Sequence, residues 1–149
     1  QAETEGIFIA CASAYGHTRE AAELLAEQLR SMGCKVSVAD LARCDMAEAV
    51  EDAFRYSKLV LACMTYNGGI FPVMREFIQA IAERGYQKRT VALIENGSWA
   101  PMAAKTMRQM LEGCKELSFA EPVVSIRSAM DENSRSQLNA LGELLSKGE

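Results

Sequence analysis

The sequence predicts an α/β fold: a three-layer sandwich whose five-stranded parallel sheet runs in the order 2-1-3-4-5, with helices on both faces. Three observations carry this. Strand-like and helix-like patterns alternate along the whole 149-residue chain. The first, third and fourth strand candidates are continuously apolar, as strands buried on both faces are. The second alternates, and the fifth is short and opens with Pro122, so both belong at edges.

The first strand is expected over Ile7–Ala12. A helix follows from about Thr18 to Met32, with Ala21, Leu25, Leu29 and Met32 on one face and Glu23, Glu27 and Arg30 on the other. Gly33 suits the stop just past its end. In Cys34–Asp40, Val36 and Val38 alternate with Lys35 and Ser37, the period of a strand exposed on one face. Asp45–Phe54 reads as a shorter helix. Lys58–Thr65 is a buried strand, and Tyr66-Asn67-Gly68-Gly69 is a turn cluster. Pro72 fits the first turn of a helix that runs to about Arg84, with Val73, Phe77 and Ile81 in a stripe and Gly85 closing it. Arg89–Glu95 is the next buried strand. A helix from about Pro101 to Lys115 carries Met107, Met110 and Leu111 inward. Pro122–Ile126 is the last strand, and Asp131–Lys147 the last helix, with Leu138, Leu141 and Leu145 in line.

Composition bounds the function. Apolar residues make up 49% of the chain, enough for an ordinary core in one domain. A net charge of −4 argues against nucleic acid as the main partner. No apolar run is long enough to span a bilayer. The chain has no initial Met, and Gln1–Glu5 read as a linker or tag remnant ahead of a domain over residues 6–149. The five cysteines, Cys11, Cys34, Cys44, Cys63 and Cys114, form no Cys-x-x-Cys pair, which fits free thiols in a reducing cytoplasm. His17 stands alone, so no metal set is expected within the chain.

In this fold every loop that follows a strand emerges at the carboxyl edge of the sheet. Three such loops carry the candidate residues. The first is Ser13-Ala14-Tyr15-Gly16-His17-Thr18, a hydroxyl-bearing turn into a helix. A helix N-terminus leaves unpaired N–H groups and the positive end of a dipole, a ready anion site. The loop holds no Lys or Arg, so it is no Walker-type loop, and the three-glycine dinucleotide pattern is absent. What remains suits one terminal phosphate held by neutral donors. A plain turn with Thr18 as a cap accounts for the same residues.

The second loop is Thr65-Tyr66-Asn67-Gly68-Gly69 and the third is Asn96-Gly97-Ser98-Trp99. Tyr66 and Trp99 suit contact with a flat ring, and Gly68 and Gly69 let a peptide group face the ring edge. Glu95 opens the third loop. Its carboxylate is expected near the ring, where it would disfavour further negative charge.

On these residues the chain resembles a flavodoxin domain along essentially its whole length. Its loops are most similar to the C-terminal flavodoxin domain of A-type flavoproteins, the flavodiiron family. There the first loop reads Ser/Thr-x-Tyr-Gly-Asn-Thr, matched by Ser13, Tyr15, Gly16 and Thr18, with His17 in the Asn place. The second reads Pro-Thr-x-Asn followed by an aliphatic-x-Pro stretch. Thr65, Tyr66, Asn67, Ile70, Phe71 and Pro72 resemble it, with Met64 in the Pro place. The third carries a Gly-Trp inside a Gly/Ser-rich turn, to which Asn96-Gly97-Ser98-Trp99 is similar, with Glu95 and Pro101 replacing smaller residues.

The resemblance implies a flavodoxin-like fold, noncovalent FMN and electron transfer to a redox partner. In that family the partner is a di-iron centre in a metallo-β-lactamase-like domain that reduces oxygen or nitric oxide, with a rubredoxin-like donor. A second copy of the chain is also open as a partner. Two other functions use the same residues. One is a stand-alone NAD(P)H-dependent FMN or quinone reductase, marked by hydride transfer from NADH. The other is an interaction module without FMN, marked by colourless protein. A phosphorelay receiver is disfavoured, because Cys11, Ala12, Met64 and Thr65 stand where it needs carboxylates.

Overall fold

Strands and helices alternate as β1 (Thr4–Ala12), α1 (Gly16–Ser31), β2 (Val36–Asp40), α2 (Met46–Arg55), β3 (Tyr56–Tyr66), β4 (Gly69–Ile70), α3 (Pro72–Glu83), β5 (Arg89–Asn96), α4 (Ala103–Met110), β6 (Leu117–Phe119), β7 (Val124–Ile126) and α5 (Glu132–Ser146). The computed structural model describes residues 4–12, 16–66, 69–96, 102–126 and 131–147. Parallel pairing runs β2-β1-β3-β5-β6, and β4 is a two-residue antiparallel addition to β3. The order is therefore the expected 2-1-3-4-5 with a further strand.

Side-chain alternation builds a core on each face. From β1 and β3, Phe8, Ala10, Leu59, Leu61 and Cys63 point toward α2, α3 and α4. Their neighbours Ile7, Ile9, Cys11, Val60 and Ala62 point the other way, onto Leu25 and Leu29 of α1 and Leu138 and Leu141 of α5. Continuous apolar runs are needed because both faces are covered. Each fully buried Leu or Ile contributes roughly 1.5–3 kcal/mol. α1 and α5 pack closely, and the Gln28 amide donates to the Asn139 carbonyl at 3.0 Å. A Cβ at Gly142 would meet the end of that Gln28 side chain, which would have to turn aside and give up this bond.

Both glycine stops are present. Gly33 and Gly85 take φ of 89° and 81°. Cys34 N–H donates to Leu29 O and Gly33 N–H to Arg30 O, and the same pair recurs as Tyr86 to Ile81 and Gly85 to Ala82. These are Schellman motifs, which satisfy the last carbonyls of α1 and α3.

The structure corrects several details. The last sheet strand is divided: β6 pairs with Arg89–Val91 and β7 with Ile94–Asn96. Leu117–Phe119 is too short for its alternation to register in the sequence, and Pro122 lies between the pieces. α4 ends at Met110, not near Lys115, because Leu111 and Glu112 turn to i−3 carbonyls. Met32 is 43% exposed, since it lies in the turn beyond α1 and off its apolar face.

Candidate functional site

A helix that follows a parallel strand runs back against it. The first turn of every helix here therefore lies at the carboxyl edge, where N–H groups are unpaired and the dipole is positive. The protein answers most of these ends with its own carboxylates. At α2, Asp45 accepts from Ala47 N–H at 3.0 Å. At α5, Asp131 and Ser134 form a capping box, with Ser134 N–H donating to Asp131 at 2.8 Å. At α4, Met102 supplies no side-chain cap, but Glu95 Oε1 accepts from Ala104 N–H at 3.1 Å. α3 has no acid in its first turn and begins with Pro72, which removes one donor.

α1, like α3, holds no acid in its first turn, but it has no proline there and carries Thr18, fully buried. It follows β1, at the point where strand order reverses: the chain leaves β1 toward β2 on one side and β3 toward β5 on the other. Ligands of open α/β sheets bind in that crevice.

Asn96, the last residue of β5, donates through Nδ2 to Thr18 Oγ1 at 3.3 Å. This bond joins the third candidate loop to the first. A hydroxyl that accepts here still carries one proton to donate. Arg19, next along, is held by Glu23 at 3.2 Å and Asp40 at 3.5 Å, and Asp40 also takes Arg43 at 2.6 Å. The nearest cation of α1 is therefore engaged with β2 and its own helix face, consistent with neutral donors at the turn.

Of the expected site residues, Gly16, His17 and Thr18 form the first turn of α1. Thr65 and Tyr66 close β3, pairing with Ile70 and Gly69. Asn96 closes β5. Ser13, Ala14, Tyr15, Asn67, Gly68, Gly97, Ser98 and Trp99 lie outside the described residues. The sequence reading did not connect Ser125 or Gln137 to this edge. Ser125 donates through Oγ to Glu95 Oε2 at 3.0 Å, and its N–H donates to Gln137 Oε1 at 3.1 Å. The available signal was a lone polar residue between Val124 and Ile126.

The thiols behave as core. Burial, with Asp40 adding, pushes Cys11 up to about 12, and burial pushes Cys63 up to about 11. Among the described residues, no group of three or more His, Cys, Asp or Glu is placed to hold a metal ion, and no helix is long and apolar enough to cross a membrane.

The donor chemistry fits FMN in one respect that the described residues can test. Its phosphate monoester needs an anion site without competing carboxylate, and the start of α1 offers N–H groups and a buried hydroxyl there.

The family model described as Flavodoxin matches residues 9–136. A search of curated proteins returned no match. Among solved structures, rubredoxin oxygen:oxidoreductase from the anaerobe Desulfovibrio gigas superposes with a TM-score of 0.88 at 18% identity, covering 98% of this chain and 36% of that one. A flavo di-iron protein from Thermotoga maritima gives 0.78 at 18% identity, covering 97% and 36%. Oxidised flavodoxin 1 from Bacillus cereus gives 0.80 at 16% identity, covering 95% and 97%. The chain thus spans 36% of the length of the first two and nearly all of the third. At these identities the likeness is one of fold.

Proposed function

The chain belongs to the flavodoxin family, and from that premise we propose that residues 6–149 bind FMN noncovalently at the carboxyl edge and serve as an electron-transfer domain. The observation that carries this is α1: at the switch point, a helix start without an acid presents buried Thr18, reached by Asn96 from the end of β5. The N–H groups of the first turn, with the hydroxyls of Ser13 and Thr18, would hold the phosphate. Charge-assisted bonds of this kind are stronger than neutral ones. The residues of Thr65–Gly69 and Asn96–Trp99 would flank the ring and limit its contact with water. Bound FMN supplies transfer of one or two electrons, and the protein sets its position and potential.

The partner we propose is a redox centre of the flavodiiron kind, a di-iron site in a metallo-β-lactamase-like domain. Loop resemblance supports this, together with the likeness of fold to the flavo di-iron protein.

The test is identification of the cofactor. Protein purified in excess FMN is desalted, denatured and its released cofactor separated by chromatography. One FMN per chain is expected. Protein that retains no flavin, or that retains FAD at full occupancy, overturns the reading.

A further inference from the structure

Glu95 was expected to act through its charge on the ring. The geometry gives it other work. It is the penultimate residue of β5 and lies in register between Cys63 of β3 and Ser125 of β7. Strand alternation sends Glu95 to the same face as Val91 and Leu93, toward α4, and sends Asn96 to the face of Ala92 and Ile94, toward α1. Both carboxylate oxygens are engaged. Oε1 accepts from Ala104 N–H at 3.1 Å and Oε2 from the Ser125 hydroxyl at 3.0 Å. α4 has no cap of its own and no acid in its first turn, so Glu95 is its capping carboxylate, supplied from another strand.

The two ends of the third loop are thereby joined at its base. Glu95 stands just before residues 97–101, and Ala104 stands just after them. Asn96 fastens the same strand end to Thr18, while Ser125 passes the connection to Gln137 of α5. Hydrogen bonds from two successive residues of β5, on opposite faces of the sheet, thus tie its end to α1 through Asn96 and, by way of Ser125 of β7, to α5 through Glu95.

We infer that Glu95 is a positioning residue for the ring side of the site: by capping α4 and holding Ser125 it fixes where the third loop begins and ends. This rests on the FMN reading above. It makes a distinction that a purely electrostatic role does not. Gln at 95 keeps an oxygen for Ala104 N–H and an amide that can donate to the Ser125 oxygen, whereas Ala loses both bonds. A charge effect would make Gln and Ala equivalent.

The experiment measures FMN dissociation constants by fluorescence titration, and amide hydrogen exchange at Ala104 in the flavin-free protein, for wild type, E95Q, E95A and S125A. In E95A, affinity should fall about tenfold and Ala104 exchange should quicken about tenfold, the scale of one lost cap. E95Q should stay within about threefold of wild type in both, and S125A should weaken FMN by about two- to threefold. Equal changes in E95Q and E95A with Ala104 still protected in E95Q, or tighter binding in both as loss of a repelling carboxylate would give, overturn the positioning role in favour of charge. Unchanged affinity in E95A overturns it outright. Should E95A fail to fold, unchanged affinity in S125A does the same. Wild-type protein that binds no FMN overturns the underlying reading and the inference with it, and that failure is read before any variant is made.

Discussion

At the amino edge of the sheet the helices end in carbonyls, and cations meet them. At the carboxyl edge they begin with N–H groups, and oxygen acceptors meet those. Arg89 is only 5% exposed, and its guanidinium donates to the carbonyls of Phe54 at 2.7 Å, Tyr56 at 3.1 Å and Gln87 at 2.6 Å. It also lies over Tyr86 at 5.3 Å, a cation–π contact. Lys58 closes the end of α5 in the same way, donating to Leu145 O at 2.6 Å and Lys147 O at 2.7 Å. The amino edge is thus completed by the chain itself. The carboxyl edge is completed at α2, α4 and α5 by Asp45, Glu95 and Asp131, and at α1 by no acid in its first turn. One set of aligned dipoles gives one edge closed by cations at α2 and α5 and another closed by carboxylates at α2, α4 and α5, and the proposed FMN site lies at a start, that of α1, with no acid in its first turn.

The sharpest way to break this contrast is to remove the buried cation. Arg89→Met leaves three carbonyls without their donor in a buried setting. At about 1–3 kcal/mol for each orphaned group, partly relieved by water at the margin, a loss of about 3–5 kcal/mol is expected. Denaturant unfolding measures it. FMN affinity of the folded variant should stay as in wild type. A variant that keeps its stability but loses FMN would place function at the wrong edge.

The complementary change is Thr18→Ala at the binding edge. It removes a hydroxyl available to the phosphate and the acceptor for Asn96. A hydrogen bond to a charged group is worth about 1.5–3 kcal/mol, so FMN affinity should fall by roughly ten- to a hundredfold. Unfolding of the flavin-free protein should shift far less than for Arg89→Met. Titration that returns the wild-type affinity would mean the turn is only structural.

The amino edge was hardly legible in the sequence, whereas the core and the strand order were. Continuous runs such as Leu59-Val60-Leu61-Ala62-Cys63 declare burial on both faces, because period and composition are local properties. Arg89, by contrast, reads as the polar start of a strand. Its role depends on Phe54 and Tyr56, more than thirty residues away. The first loop was legible as a helix start lacking a cation, and Thr18 is buried there. Glu95 was legible as a charge at the start of the third loop but not as the cap of α4, because only the register of β5 against β7 brings Ser125 to it. Contacts between elements distant in sequence are what local patterns cannot carry.

A third measurement asks whether the carboxyl edge tolerates charge away from helix ends. Cys11 and Cys63 lie near the ends of β1 and β3 and are held well above the ordinary thiol value of 9.0, to about 12 and about 11, mainly by burial. Between pH 9 and these values the unfolded chain releases protons that the folded chain keeps. Stability is therefore whole below pH 9 and falls as pH rises toward 11–12. One pH unit above 9 the loss approaches about 1.4 kcal/mol for each thiol. Unfolding at pH 8 and pH 10 should show the drop, and Cys11→Ala with Cys63→Ala should reduce it, leaving the smaller share of Cys44 and Cys114, which burial also raises. An alkaline limb that persists unchanged without both thiols would assign the effect elsewhere.

The smallest effect concerns how the binding edge distinguishes its own carboxylates from a ligand's anion. Asp131 caps α5 through Ser134, whose hydroxyl donates at 2.6 Å and whose N–H donates at 2.8 Å. These bonds favour the ionised form, so the carboxyl titrates below its ordinary value of 3.8. The sign follows: the cap is at full strength above pH 3.8 and weakens as pH falls through the lowered value. Because Asn caps about as well as Asp, Asp131→Asn should leave unfolding at pH 7 as in wild type. It should also remove this residue's share of the acid limb below pH 4. A carboxyl resonance of Asp131 that titrates at or above 3.8 would show that the capping box does not hold charge in solution. FMN affinity should be the same in both proteins at pH 7. The start of α5 is already satisfied from within the chain by Asp131 and Ser134, so it should take no part in holding a phosphate.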